Sequence, residues 1–561
     1  MSNSLTRNRT FTGDSVPKLT KILFPWSGIF RDACYALVGT FLIQYAITSG
    51  VLSSNSSDFQ LQYLVITIAM MIALLWDGIN DPIMGFILEK CHFKAGKFRP
   101  WIAIGAIGNS LCVALMFIIP SFFQNWGWGY VIFMIIMYLL WDTCFTMNDI
   151  GYWSMLPALT NDAKQRASLT TQTAIASSIG TFVINIMMFA LTGTIKGLQV
   201  TTIYLFTGSA VALTFLASQL LVFFLCKEKQ RDKIQEEVSE KSSILDLFRV
   251  VGKNKQLLVT AIGMLLYYFS SYILTGIGQN YFYMIFGYGF FGGGIVATVI
   301  SMIYIFGTIA AQAFYPMLAK RFSKKKILMI AAIVTIVSYA AFFLVAFPLP
   351  GMDKPLGYNT PDGSFFWCFG GTMFLYYIFA FLFFGATGIF YLGLLVMFQE
   401  SIDYNEYQFG ERKESICFAW RPLDVKVASG LNRGLQYITF FATGTYAAIN
   451  AISNWEGIAN SMNNGALLDG SAKSDTLKLA ISSISEARIA YSINHIAGWQ
   501  KTMFGVIIIG TIIVLMLGAW LVLQFGFKIT EDDELKMVKE LAIRNGKALQ
   551  EETKVEAKEA K

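Results

Sequence analysis

The chain has 561 residues, of which 55% are hydrophobic and only 14% are charged. Soluble globular proteins carry about 25% charged residues, so this composition excludes a soluble fold of that size. It also excludes a disordered chain, a collagen and a disulfide-rich secreted scaffold. The net charge of +7 comes from short basic clusters between apolar runs, which indicates membrane topology and not nucleic-acid binding. We therefore predict a polytopic membrane protein.

Apolar runs of about 20 residues, the length of a transmembrane helix, predict twelve spans, six on either side of a charged linker. The spans are 28–52, 62–88, 100–121, 129–157, 167–194, 200–226, 256–286, 291–319, 326–348, 364–402, 415–452 and 501–527. The predicted fold class is an all-α integral membrane protein with two six-helix bundles. The predicted parts are a tail at 1–27, bundles at 28–226 and 256–527, a linker at 227–255, a loop at 453–500 and a tail at 528–561.

Lys and Arg in the short loops predict the orientation, because basic loops stay in the cytoplasm. They concentrate in the N-terminal tail and in the loops on the same side, so both termini and the linker are predicted to be cytoplasmic. The opposite loop at 453–500 contains an amphipathic stretch, which lies along the membrane, covers a cavity or is simply solvated. In the tail at 531–561, Leu535, Val538 and Leu541 at helical spacing predict a short helix.

Several classes of function are excluded by what the loops and spans lack. No cytoplasmic segment is long enough for a nucleotide-binding domain, and no phosphate-binding glycine motif or hydrolase serine motif is present. The two histidines, His92 and His495, are far apart, and the seven cysteines lie in or beside apolar segments without ligand spacing. We therefore predict a protein that is not an enzyme and holds no cofactor.

Ionisable residues at membrane depth are costly and mark functional sites. In the second span, Asp77 and Asp81 are four residues apart and share a helix face beside Asn80. In the fourth span, one stripe holds four polar or aromatic residues: Asp142, Thr146, Asp149 and Trp153. The first span adds Asp32 next to Arg31.

Carboxylates this close repel one another when ionised. They either share a proton or bind a hard cation through oxygen ligands, and both interpretations predict a cation site. For Asp81 alone, an alternative is that it stabilises the hairpin to the third span, since it precedes Pro82 near a basic loop. The cation-site candidates are Asp77, Asp81, Asn80, Thr146 and Asp149.

The second half supplies counter-charges. The eleventh span contains Arg421, Asp424 and Lys426, and a buried lysine needs a carboxylate partner, which we expect among the acids of the first half. Aromatic rings beside polar groups provide stacking faces for a sugar ring. The sugar-binding candidates are Asp32, Asp149, Trp153, Lys426, Arg421 and Tyr391.

At these residues the sequence resembles the glycoside-pentoside-hexuronide cation symporter family of the major facilitator superfamily, to which the melibiose permease belongs. The resemblance rests on WDGINDPIMG followed by GKFRPW, on WDTCFTMNDIGYWSMLP, and on DYNEYQFGERKESI with Lys426 following. It implies the major facilitator fold. It also implies that Asp77 and Asp81 bind the coupling ion, as Na⁺ ligands if sodium is used, and that Asp32 and Asp149 bind sugar with Trp153 stacking.

The sequence also departs from the family pattern. The fifth span lacks the family's sugar-binding arginine and has Gln172, Thr173 and Ala174 around its place, and Asp142, Arg421 and Asp424 are additional charges. We expect a rebuilt pocket in which Arg421 supplies the missing guanidinium.

The predicted function is uptake of a glycoside or oligosaccharide coupled to inward flow of Na⁺ or H⁺, with Li⁺ as a further ion, by alternating access of a central site to the two sides of the membrane. The expected setting is the inner membrane of a bacterium, with a monomer surrounded by lipid. Two alternatives remain open: a cation-coupled transporter of lysolipids or other amphiphiles, and a membrane-embedded transferase.

Overall fold

The structure is a computed structural model that describes most of the chain. The described residues are 10–11, 16–91, 93, 95–159, 163–191, 200–229, 251–286, 295–346, 372–409, 420–450, 453, 498–534, 536–537 and 540. The predicted loop at 453–500 therefore lies outside the described residues except at 453 and 498–500.

The described chain is almost entirely helical, and each predicted span overlaps one long helix. The first six helices are α1 (Lys18–Thr48), α2 (Ser56–Lys90), α3 (Arg99–Ile118), α4 (Trp128–Ala158), α5 (Ala163–Leu191) and α6 (Val200–Leu225). The second six are α7 (Lys255–Phe286), α8 (Ile295–Ala319), α9 (Lys324–Ala346), α10 (Thr372–Phe409), α11 (Trp420–Thr443) and α12 (Gly498–Gly526). Two-residue strands, β1 (Thr10–Phe11) and β2 (Glu228–Lys229), pair in parallel.

The described helices differ from the predicted spans at two places. Helix α1 begins at Lys18, within the predicted N-terminal tail, and within the predicted span at 415–452 helix α11 ends at Thr443, before a turn at Gly444. Among the described helices, nine are long and apolar enough to cross a membrane. The other three, α1, α5 and α11, are more polar, and two of them carry charged residues of the candidate site.

Successive helices place their ends on two sides of the molecule. We call the side where α6 ends and α7 begins the linker side, and the opposite side the far side. On the linker side, Glu228 after α6 bonds to the start of α3, and Lys324 at the start of α9 bonds to Glu400 near the end of α10. On the far side, Gln500 at the start of α12 donates to the carbonyl of Thr443 at the end of α11 (3.0 Å).

The apolar cores show how the two six-helix halves meet. One large cluster joins both halves on the far side, where Tyr63 of α2 packs against Tyr437 and Phe440 of α11 (ring centroids 5.6 and 5.9 Å apart). On the linker side each half has a core of its own, around Phe24 and Leu156 in the first half and around Phe390 and Leu394 in the second. The halves therefore share one apolar core on the far side and have separate apolar cores toward the linker side.

Candidate functional site

Lys426 of α11 joins the halves by contacting both acids of α2. Its Nζ lies 2.8 Å from Asp77 Oδ2, forms an ion pair with Asp81 Oδ2, and also donates to the main-chain carbonyl of Asp77 (3.3 Å). Because Asp77 and Asp81 are four residues apart, one turn of helix presents both carboxylates to a single ammonium group. Asp77 is buried and Lys426 is only partly exposed, so each charge depends on the other for compensation.

Thr146 of α4 completes the group around Asp77. Its hydroxyl donates to Asp77 Oδ1 (3.0 Å), and this carboxylate thus has one oxygen on Lys426 and one on Thr146. Asn80 is buried beside the pair, and its side-chain nitrogen has no hydrogen-bond partner in the described part of the chain. Two halves and three helices, α2, α4 and α11, therefore contribute to one polar cluster, which we call the acid–lysine cluster (Asp77, Asn80, Asp81, Thr146 and Lys426).

Asp142 lies one turn before Thr146 and borders the acid–lysine cluster. It is buried, and its carboxylate interacts electrostatically with Asp77, Asp81 and Lys426. No hydrogen bond or ion pair links it to another of the described residues. One lysine therefore faces three carboxylates at this level of the bundle.

Arg31 of α1 organises a second charged group. Its guanidinium pairs with Asp32 of the same helix (2.7 Å) and with Asp149 of α4 (3.2 Å). The same guanidinium lies over the rings of Tyr152 and Trp153, at 4.4 and 4.9 Å from the centroids. Arg31 is only 1% exposed, whereas Asp149 is 35% exposed and Trp153 is 37% exposed, so the carboxylate and the indole face open space with the arginine behind them.

A close crossing of α1 and α5 holds Arg31 in place. A Cβ added to Gly180 of α5 would lie 2.0 Å from the carbonyl oxygen of Ile29, so only glycine permits this approach. At the crossing, Ser177 of α5 accepts a hydrogen bond from Arg31 (3.3 Å). The sequence thus positions the arginine by a packing contact as well as by its two acids.

Arg421 of α11 lies among tyrosines of its own half. Its Nε donates to the hydroxyl of Tyr268 (3.3 Å), and its guanidinium carbon is 5.9 Å from the ring centroid of Tyr391. Tyr268 in turn donates to Tyr391 (3.4 Å). Arg421 is exposed, whereas Asp424, one turn further on, is buried with a carboxylate oxygen that has no partner among the described residues.

The structure divides the predicted candidates into three groups. Asp77, Asp81, Asn80 and Thr146 lie together with Lys426, which the sequence analysis had placed with the sugar ligands. Asp32, Asp149 and Trp153 form the second group around Arg31. Arg421 and Tyr391 form the third, and no described contact links them to the second.

Two arginines of the site are not among the residues predicted from sequence. For Arg31, the available signal is its position next to Asp32 within an apolar span. Arg433 of α11, which donates to the carbonyl of Gly39 in α1, carried the same signal as a cation at membrane depth. Their partners on other helices, Asp149 for Arg31 and Gly39 for Arg433, depend on the packing of the helices.

The acidic pair is the natural place for a small cation, and the ammonium of Lys426 lies there in this structure. Within the described ranges, no three carboxylate, thiol or imidazole groups converge in the manner of a tightly held metal centre. The donors present are carboxylate, amide and hydroxyl oxygens, which suit an exchangeable alkali cation or a proton.

Comparison with known proteins identifies the family. A family model described as "MFS/sugar transport protein" matches residues 55–449. The chain belongs to this family. The match covers most of the helical part, from the start of α2 to the end of the second half's α11, and agrees with the predicted resemblance to the glycoside-pentoside-hexuronide symporters. The chain is thus a multi-pass membrane protein of a transporter family, not an enzyme.

The chain is similar to several sugar carriers. The raffinose carrier protein of Pediococcus pentosaceus is 23% identical over 76% of this chain and 64% of its own length. The lactose permease of Leuconostoc lactis is 26% identical over 74% of this chain and 61% of its own length. The isoprimeverose transporter of Lactiplantibacillus pentosus is 22% identical over 77% of this chain and 85% of its own length. The chain thus spans less than two thirds of the raffinose carrier and of the lactose permease.

One solved structure supports the fold. A bacterial homologue of the lysosomal transporter Spinster, in an inward-facing and unoccupied conformation, has a TM-score of 0.52 with 12% sequence identity. It covers 89% of this chain and 96% of its own. At that identity the likeness shows the major facilitator fold alone.

Proposed function

We propose that the protein is a symporter that couples inward flow of a monovalent cation to uptake of a glycoside or oligosaccharide. The observation that carries this proposal is the acid–lysine cluster between the halves, next to the carboxylates and indole around Arg31. The names of the relatives, carriers of raffinose, lactose and isoprimeverose, support a glycoside as the substrate class.

The coupling ion is proposed to exchange with the ammonium of Lys426. Asp77 and Asp81 offer oxygen ligands, and Asn80 and Thr146 add neutral ones. In the ion-free protein Lys426 compensates the two carboxylates, because bare charges in a dry interior are costly. A Na⁺, Li⁺ or H⁺ that enters releases the lysine, so the charge at the contact between the halves stays balanced in both states.

The sugar is proposed to bind at the exposed side of the Arg31 group. Asp149 and Asp32 accept hydrogen bonds from sugar hydroxyls, and Trp153 stacks on the apolar face of the ring. Arg31 pairs with both carboxylates and orients them. Because Asp149 and Thr146 are both on α4, three residues apart, the two sites share one rigid helix, which links their occupancy.

The proposed setting is a bacterial inner membrane, with the linker side in the cytoplasm and the protein acting as a monomer within lipid. The basic loops on the linker side support this orientation. A monovalent cation crossing about 100 mV contributes roughly 2.3 kcal/mol. A tenfold ion gradient adds about 1.4 kcal/mol, so a single cation site is enough for accumulation of several hundred-fold.

The test is transport by the purified full chain in proteoliposomes, with lactose, raffinose and isoprimeverose as substrates and with Na⁺, Li⁺ and pH varied. We expect one of these sugars to accumulate only with an ion gradient. Asp77→Asn and Asp81→Asn should abolish accumulation while leaving sugar exchange measurable. Unaltered active uptake in both variants would remove the cation-site assignment.

Arg421 needs a separate measurement, because it lies apart from the Arg31 group. If Arg421 binds sugar from the second half, Arg421→Gln should weaken binding of the identified sugar about tenfold, the order expected for a lost charged hydrogen bond. Arg421→Lys should recover part of that loss. Equal affinity in all three proteins would exclude Arg421 from the sugar site.

The amphiphile alternative is not favoured, because the family model and the relatives reported above are sugar carriers. Lysolipid-stimulated Na⁺ uptake without any effect of the three sugars would reverse that judgement.

A further inference from the structure

Arg433 of α11 reaches from the second half into the first. Its guanidinium donates to the main-chain carbonyl of Gly39 in α1. Its charge also lies within electrostatic range of three tyrosines, Tyr35, Tyr63 and Tyr138, which belong to α1, α2 and α4. One side chain of the second half is therefore bonded to α1 and lies near α2 and α4 of the first half.

The same helix face carries Lys426, and the two cations meet different chemistry. They are seven residues apart, two turns of helix, so both point toward the first half. Lys426 contacts two carboxylates, whereas Arg433 donates to a carbonyl oxygen and has tyrosines nearby, none of which carries a formal charge at neutral pH.

The position of Arg433 is on the far side of the acid–lysine cluster, where the halves share one apolar core. Three further sets of contacts join the halves between Arg433 and the far-side surface. They are the contacts of the Tyr63 ring with α11 and two hydrogen bonds. Gly50 donates to Ser453 (3.1 Å), and Asn450 donates to the carbonyl of Ser53 (3.2 Å). Arg433 is the innermost member of this set, so it lies between the central sites and the far-side surface.

The neutral carbonyl that accepts the bond from Arg433 suits a contact that breaks when the two halves move apart on the far side. An arginine–carboxylate pair in a dry interior is strong, and breaking it leaves two uncompensated charges. A guanidinium on a carbonyl loses less when the halves part, because water replaces the carbonyl and rehydrates the charge. The contact is therefore strong enough to favour closure and weak enough to be released in each cycle.

We propose that Arg433 is the gate residue of the far side: a positioning residue that holds the far side closed by bonding α11 to α1, and that releases when the far side opens. The proposal rests on alternating access in the proposed function. Since α11 also carries Lys426, release of that lysine by a coupling ion frees the same helix to move at Arg433.

The experiment measures the gate in the ligand-free protein, without transport. In a cysteine-free background, spin labels are placed at Phe122→Cys in the first half and at Trp499→Cys in the second, two exposed positions on the far side. Double electron–electron resonance then gives the distribution of distances between the halves. We expect Arg433→Gln to raise the ratio of far-open to far-closed molecules about 10- to 100-fold, the range of a lost charged hydrogen bond.

The matched control is Arg421→Gln, the same substitution on the same helix, whose described contacts stay within its own half. It should leave the distance distribution unchanged. Arg433→Lys keeps the charge and should restore part of the closed population, and it replaces Arg433→Gln as the test if that variant is not recovered folded.

An unchanged distribution in Arg433→Gln would overturn the gate assignment. If only Arg433→Lys is recovered folded, a distribution identical to that of the parent would overturn it. The same shift in Arg421→Gln would also overturn it, since the effect would then belong to charge loss on α11 in general. Failure of sugar transport in the earlier assay would leave these distances interpretable, so the two proposals fail separately.

Discussion

In the first half, α3 begins beneath the carboxylate of Glu228, which accepts hydrogen bonds from three main-chain N–H groups, those of Lys97, Phe98 and Arg99 (each 2.9 Å). In the second half, α9 begins beneath Glu531, which accepts one, from Lys324 (3.1 Å). Each glutamate follows the last helix of its half, and each meets the positive end of a helix dipole. The two halves thus close their linker-side ends by the same device.

The centres of the two halves differ. The first half contributes the carboxylates of the acid–lysine cluster, and the second contributes its cation through Lys426. The two halves thus share the same kind of helix cap, but they contribute charges of opposite sign to the contact between them. This difference teaches that the halves are held together in the middle by ion pairs and at the far side by apolar packing and by hydrogen bonds to neutral acceptors, so a coupling ion competes directly only at the central contact.

The largest expected effect comes from removing the cation of the central contact. Lys426→Ala leaves the buried Asp77 uncompensated, and we expect the free energy of unfolding to fall by about 3–5 kcal/mol. Thermal unfolding in detergent measures this. Added NaCl should stabilise the variant more than the parent, because a cation can then replace the missing ammonium.

A double variant sharpens this prediction. Asp81→Asn removes one of the charges that Lys426→Ala leaves behind, so the two substitutions together should cost less than their sum. Strictly additive losses would show that Lys426 and Asp81 do not interact.

A smaller effect is expected from the crossing that holds Arg31. Gly180→Ala forces α5 away from the carbonyl of Ile29, and overpacking of this kind costs about 1–3 kcal/mol. Gly510→Ala in α12 is the control, because nothing lies within 4 Å of the added methyl group. The comparison uses thermal unfolding of both variants, and equal melting temperatures would contradict the close crossing.

The smallest effects are expected at the linker-side ends, where they compare the halves directly. Glu228→Gln weakens three bonds at the start of α3 and should cost about 1 kcal/mol, as loss of a helix cap does. Glu531→Gln affects one bond of an exposed side chain and should cost less. If Glu531→Gln had the larger effect in thermal unfolding, the ranking of the two caps would be wrong.

Much of the fold followed from local properties of the sequence. The lengths of the apolar runs predicted twelve helices in two sets of six, because span length and hydrophobicity depend only on neighbouring residues. The spacing of Asp77 and Asp81 likewise placed both on one face. The start of α1 at Lys18 gave no apolar signal, since the residues at that end of the helix are mostly polar.

The polar stripe on α4 shows what could not be predicted from neighbouring residues, namely the partners of its side chains. The sequence placed Thr146 and Asp149 on one side of a helix and assigned both to a cation site. In the structure Thr146 bonds to Asp77 of α2, whereas Asp149 pairs with Arg31 of α1. One stripe on α4 thus contributes to both the acid–lysine cluster and the Arg31 group, because α2 and α1 pack against neighbouring parts of it.

By itself, then, the sequence predicted a membrane protein with twelve spans, of a sugar transporter family, with an acidic pair in its second span. Only the tertiary structure decided that Lys426 lies between those acids, that Arg31 bridges Asp32 and Asp149, and that Arg433 reaches Gly39. Helix formation and membrane insertion depend on residues close in sequence. The partner of a buried charge depends on which distant helix packs against it, and that is fixed only when the two halves come together.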